Sequence, residues 1–181
     1  MTAPDALEQL LAANTADLHG YLLRRVGDPH DAADALHDVL LTAVRRREQV
    51  PSDPHEGRLW LFGVAANVDR NQRRARWRRT ALARTLMADP TRQGDDAEDP
   101  AGAAVRDAVD ALPSELAELV RLHHWEGFGL AEAATILGIP ASTARTRYGA
   151  ARRRLRAALA DRLGPPPEPD RPQGPPATIS A

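Results

Sequence analysis

The sequence contains no cysteine and no lysine; all 24 basic side chains among its 181 residues are arginine. Without thiols the chain can form neither disulfides nor thiolate metal or redox centres. The all-arginine inventory matches a GC-rich coding sequence and reflects the source rather than a mechanism. Aromatic residues are scarce too, 4% of the chain against 43% hydrophobic residues overall, which suits compact helical units without large cores. Strand signals are sparse, and no window approaches the roughly 18 apolar residues required to span a bilayer. The first residues, MTAPDALEQLL, lack the basic-then-apolar pattern of a secretory leader. The expected location is therefore the cytoplasm, without membrane insertion.

What the chain does have is segregated charge. The net charge of -1 conceals two basic blocks alternating with two acidic ones. Residues 58–84 carry 8 Arg against 1 acid and residues 141–163 carry 7 against 1, whereas 1–57 carry 5 Arg against 10 acids and 89–118 carry 2 against 9. Two separated cationic segments point to two contacts with a polyanion.

The second basic block belongs to the most informative stretch, LAEAATILGIPASTARTRYGAARRR at 130–154. A helix-turn-helix needs a small residue where its helices cross, a glycine in the turn and an inward apolar position on the second helix; Ala134, Gly138 and Ala144 supply these. Gly138 can close the first helix in a left-handed conformation, Pro140 cannot continue it, and Ala141 or Ser142 can open the next. On that next helix Ala144, Tyr148, Ala151 and Leu155 form the buried stripe. Thr143, Arg145, Thr146, Arg147, Gly149 and Ala150 are left for its outer surface, where the N-terminal part of a recognition helix meets base edges and phosphates in the major groove. A plain solvated cationic helix is the simpler alternative.

Upstream, Leu7, Leu10, Leu11, Leu18, Leu22 and Val26 recur with a helical period. GDPHD at 27–31 is a stop and restart: Gly27 ends one helix, Asp28 caps the next, and Pro29 fits its first turn. The restarted helix should bury Ala32, Leu36, Val39, Leu40 and Ala43, leaving Asp34, His37, Asp38 and Leu41 on another face as a candidate partner surface. VPSDPHEGR at 50–58 reads as a loop. The following RLWLFGVAANVDRNQRRARWRR reads as a helix on which Asn67, Arg70, Arg74 and Arg78 form a polar, cationic stripe, with Arg73 and Trp77 on an adjacent face. Its apolar side is short and alanine-rich, which favours nucleic acid over a lipid surface as its partner.

Residues 88–104 are acidic, rich in Pro, Gly and Ala, and without an apolar period, so a mobile linker is expected there. Its acids suit a solubilising tether. A second domain should start near Val105, with Ser114 capping a helix after Pro113, and the Pro-rich tail from Gly164 should be disordered. The six histidines are scattered in sequence, and no metal-ligand spacing, nucleophile motif or cofactor motif is present. Neither a cofactor nor an enzymatic activity is expected.

Together these segments resemble the extracytoplasmic-function group of the sigma-70 family of bacterial transcription initiation factors, over about residues 5–160. GDPHDAADALHDVLL resembles the family's core-polymerase-binding segment, with Asp34 and Asp38 matching its acids, His37 in place of the usual glutamine and Ala35 in place of leucine. WLFGVAANVDRNQRR resembles its promoter-melting segment, with Trp60, Leu61 and Asn67 matching and Ala66 replacing the usual arginine. ALPSELAELVRLHHWEGFGLAEAATILGIPASTARTRYGAARRRL resembles its second domain, with Gly129 in place of a capping serine and Ala150 in place of an arginine.

The resemblance implies an all-α fold of two small helical domains joined by a flexible acidic linker, the second containing a helix-turn-helix. Its organisation would be a region 2-like domain at 1–87, the linker at 88–104, a region 4-like domain at 105–163 and a tail at 164–181. It implies binding to the beta and beta-prime subunits of core RNA polymerase through Asp34, His37, Asp38 and Leu41. Promoter DNA would be met at the minus-ten element by Asn67, Arg70, Arg73, Arg74, Trp77 and Arg78, with Asn67 near the pocket for a flipped base. The minus-thirty-five element would be met by Ser142, Thr143, Arg145, Thr146 and Arg147. An anti-sigma factor is an implied partner. The resemblance would also let the acidic linker occupy a cationic nucleic-acid channel of the polymerase. Trp60 and Phe62 fit a core role better than base stacking. Two other readings stay open on the sequence alone: an ordinary helix-turn-helix regulator, and a sigma-like adaptor without promoter binding.

Overall fold

The computed structural model of the chain describes residues 5–83 and 100–163; the expected tail from 164 and most of the expected linker, 88–99, lie outside them. The described residues form seven α-helices and one short 3-10 turn, and no strand. Helix α1, Ala6–Val26, begins with a reciprocal cap: Asp5 accepts from the backbone of Leu7 and Glu8, while Glu8 accepts from the Asp5 N–H. Gly27, at φ 79, closes it with an N–H bond to the Leu23 carbonyl, and Asp28 immediately caps α2, Pro29–Arg45, with Pro29 in its first turn. The restart is therefore local chemistry, resolved within three residues.

Helix α2 buries Ala32, Ala35, Val39 and Ala43 fully, while Leu36 and Leu40 are only partly buried. Alanine at the closest positions lets α2 approach α1 and α3, and the leucines fill the flanks. After the 3-10 turn Arg47–Gln49, helix α3 runs from Pro54 to Ala83. The 50–58 segment expected as a loop is thus helical from Pro54 onward: the Asp53 carboxylate accepts from the Glu56 N–H at 2.9 Å, and a proline in the first turn has no donor to lose. Helices α1, α2 and α3 pack on one another as a three-helix unit.

The second unit comprises α4 (Pro100–Asp110), α5 (Ser114–His124), α6 (Leu130–Leu137) and α7 (Ala141–Leu163). Helix α4 starts at Pro100, so residues 100–104, expected as the end of the linker, are helical. Pro113, not Ser114, sits at the N-cap of α5, where its carbonyl accepts from Leu116 and Ala117. Gly129 has no side chain with which to cap α6, but the Glu132 carboxylate accepts its N–H at 2.6 Å. Gly138, at φ 64, closes α6, and Ala144 and Ala151 on α7 are fully buried, with Tyr148 and Leu155 partly so.

The two units share a core. Phe62 of α3 meets Tyr21 of α1 edge-on, with ring centroids 5.3 Å apart, and Phe128 of the α5–α6 turn at 4.8 Å. Ile136 on α6 and Ala66 on α3 are buried in the same cluster. A smaller core of Val109, Leu112, Ala117, Val120 and Ala151 lies within the second unit.

Candidate polymerase and nucleic-acid interfaces

On α2, Asp34, His37, Asp38 and Leu41 are all exposed, spaced so that they share one face. Val44, which the sequence reading passed over, extends that face and is 53% exposed, against 36% for Leu41. Asp38 and Leu41, with Thr42 and Arg45, line one wall of an open groove whose other wall is Val68, Asn71 and Gln72 of α3. Val44 had a legible signal: it continues the turn-by-turn series 37, 41, 44.

On α3 the predicted stripe divides. Asn67 is exposed, and its side-chain oxygen accepts from Arg70 at 2.9 Å; Arg74 and Arg78 are also exposed. Arg73 instead reaches back to Asp69, 3.4 Å away on the same helix. The side chain of Trp77 lies outside the described residues. Arg76, not singled out from the sequence, bridges to Asp31 at the start of α2 at 3.0 Å. Asp69 is 2% exposed and one of its carboxylate oxygens is unpartnered among the described residues. Burial pushes its pKa above the ordinary carboxylate value, against the opposing charge of Arg73. Phe62 is fully buried and Trp60 is packed against the core.

At the start of α7, Ser142, Arg145 and Thr146 are exposed and Thr143 is half-buried. The Thr146 hydroxyl donates to the Ser142 carbonyl at 3.1 Å. Arg147 is turned toward α5, where its guanidinium lies 2.6 Å from Glu115. The Tyr148 hydroxyl lies 2.9 Å from Nε2 of His124. Burial, and then the neighbouring His123 and Arg152, lower the pKa of His124. These contacts brace one flank of α7, while Arg145 and Thr146 stay exposed on it. No cluster of three metal-ligating side chains occurs among the described residues.

One charged group escaped the sequence reading entirely. Glu118 of α5 is 7% exposed and lies between the two units. It accepts from the Tyr21 hydroxyl at 2.8 Å and from Arg25 at 2.9 Å. Burial works against its charge, but Arg25 and the hydrogen bonds prevail and hold its pKa below the ordinary value. No helix among the described residues is long and apolar enough to cross a membrane.

The sigma-70 region 2 family matches residues 10–79 and the sigma-70 region 4 family matches residues 102–155. The extracytoplasmic-function RNA polymerase sigma factor SigL of Mycobacterium tuberculosis is 30% identical over 156 residues, covering 84% of this chain and 88% of SigL. The RNA polymerase sigma factor HrpL of Pseudomonas syringae pv. syringae is 29% identical over 159 residues, covering 83% and 85%. Among solved structures, CnrH in complex with the cytosolic domain of CnrY has a TM-score of 0.60 at 26% identity, covering 86% of this chain and 88% of that one. The fold is also that of the sigma factor RpoE of Bartonella quintana, crystallised with the anti-sigma factor NepR, at a TM-score of 0.64 and 23% identity, covering 83% and 94%.

Proposed function

This chain belongs to the sigma-70 family, in its extracytoplasmic-function group, and from that premise we propose how its helices divide the work of transcription initiation. It is an RNA polymerase sigma factor, and neither an ordinary helix-turn-helix regulator nor a sigma-like adaptor is favoured. The exposed α2 face of Asp34, His37, Asp38 and Leu41 docks on core polymerase, with Val44 adding apolar area. Helix α3 presents Asn67, Arg70, Arg74 and Arg78 to the minus-ten strand, Asn67 exchanging its bond to Arg70 for the edge of an extruded base. Arg73 and Trp77 belong to the same contact. Helix α7 enters the minus-thirty-five major groove with Ser142, Thr143, Arg145, Thr146 and Arg147.

The observation that supports this most is the outward presentation of cationic side chains on two helices, α3 and α7, each backed by a buried face. The chain supplies recognition and strand separation and leaves catalysis to the polymerase, working in the cytoplasm where both are found. An anti-sigma partner fits, since RpoE, of the same fold, is crystallised with one. A holoenzyme footprint separates the roles. Arg145→Ala should weaken protection at the minus-thirty-five element by about 1–3 kcal/mol of binding, while Asn67→Ala should leave that protection intact and reduce strand opening. Loss of both footprints from either single variant would contradict the division.

A further inference from the structure

We propose that Arg70 sets the specificity of the minus-ten contact by positioning Asn67: it holds the Asn67 amide in the free protein and passes to a strand phosphate only when a base takes that amide. This rests on the sigma-factor reading above. The pair lies where α3 emerges from the core. Leu61, Phe62, Val64, Ala65 and Ala66 are buried, whereas Asn67 is exposed and Arg70, one turn on, is half-buried. Residues three apart share a helix face, and Arg70 Nη1 donates to Asn67 Oδ1 at 2.9 Å. A guanidinium has donors and no acceptor, so the amide must turn its oxygen to Arg70 and its NH2 away from it.

That bond occupies the acceptor of Asn67 and leaves its donors. An extruded base is read along its Watson–Crick edge, which carries a donor beside an acceptor. An amide matches such an edge only with both of its ends available, so two-point capture of the base displaces Arg70. Among its neighbours on α3, Arg70 is the arginine whose displacement costs least. Its partner is a neutral amide, whereas Arg73 faces the buried carboxylate of Asp69 at 3.4 Å and Arg76 the carboxylate of Asp31 at 3.0 Å. The displaced guanidinium keeps its full charge and turns to the phosphate of the captured strand. Base capture and phosphate capture thereby become one event. A strand with no base to capture meets an arginine still held by Asn67, so the restraint weakens the wrong complex more than the right one.

The test uses holoenzyme formed from core polymerase and the full chain. The probe is a rhodamine-labelled fork-junction DNA from a start site that the protein directs, intact or with one abasic nucleotide in the minus-ten strand. An abasic scan with wild type and Asn67→Ala finds the position read by Asn67, where the wild type should lose about tenfold in affinity. Anisotropy over a salt series at that position then counts phosphates. For the wild type, the log–log slope should be shallower on the abasic DNA by about 0.7, one single-strand phosphate. Asn67→Ala releases Arg70 whatever the base, so its slope should be steep on both DNAs. Arg70→Gln should give the shallow slope on both. Arg70→Lys, which keeps the charge and the donors, should restore the difference. Helicity by far-UV circular dichroism should be the same in all four proteins. A wild-type slope indifferent to the abasic site overturns the coupling, as does a shallow slope for Asn67→Ala on the abasic DNA. If no position depends on Asn67, its minus-ten assignment falls and the coupling with it. Failure of wild-type holoenzyme to bind any promoter would instead bring down the sigma-factor reading.

Discussion

Arg147, on the recognition helix, is held 2.6 Å from Glu115 at the start of α5, so a residue assigned to DNA is already paired with an acid of its own domain. The Glu115 side chain is 64% exposed and that of Arg147 32%, so the pair contributes little to stability, about 0–1 kcal/mol. Its effect is on binding: a phosphate must compete with the carboxylate for the guanidinium. Glu115→Gln should leave the melting temperature nearly unchanged and tighten binding to a minus-thirty-five duplex severalfold, with a steeper salt dependence by about one counterion. Fluorescence anisotropy over a salt series measures both, and an unchanged salt slope would show that Arg147 does not reach phosphate.

Leu41 and Val44 are exposed apolar side chains on α2. Replacing both with serine should change stability by less than about 1 kcal/mol, as exposed substitutions do. The same change should weaken core-polymerase binding by more than tenfold if the pair sits at the centre of that interface. Competition against wild-type protein for core enzyme reads the difference. Equal competition would move the polymerase surface elsewhere on the unit.

Asp69 and Glu118 should answer pH in opposite directions. Burial raises the folded-state pKa of Asp69, so its charged form costs stability at neutral pH and that cost disappears as the pH falls through the raised value. Glu118 is lowered; its contribution is present above the ordinary carboxylate value and is lost as the pH falls through the lowered one. Asp69→Asn should therefore raise the melting temperature at pH 7 by a few degrees, about 2–4 °C per kcal/mol for a chain of this size, and by less at mildly acidic pH. Glu118→Gln should lower it at pH 7 and converge on the wild type in acid. Thermal melts from about pH 2 to pH 8 decide, and parallel curves for wild type and Asp69→Asn would contradict the raised pKa.

How much was legible in the sequence depended on the range of the chemistry. Gly27, Asp28 and Pro29 act on their own backbone, as do Gly138 and Pro140, so the α1–α2 junction and the helix-turn-helix could be read directly. Prolines misled at two helix starts: the Asp53 cap turns the 54–58 stretch into the first turns of α3, and α4 begins at Pro100. The candidate DNA-facing residues were legible as positions but not as conformations, because Glu115, Asp69 and Asn67 claim Arg147, Arg73 and Arg70 through contacts that charge pattern alone does not specify. The contact between the two units was invisible because Tyr21 and Arg25 meet Glu118 across more than 90 positions. A trace of it was present all the same: Arg25 continues the apolar series Leu18, Tyr21, Leu22, where a charge needs a buried partner.

Transcription in vitro, with core polymerase from a related GC-rich bacterium and a library of that organism's upstream DNA, tests the central claim most directly. Start sites are mapped with and without this protein. The account predicts new start sites, each preceded by two elements at a shared spacing, which vanish with Arg145→Ala. An unchanged set of start sites, from a core enzyme that responds to a control sigma factor, would contradict it.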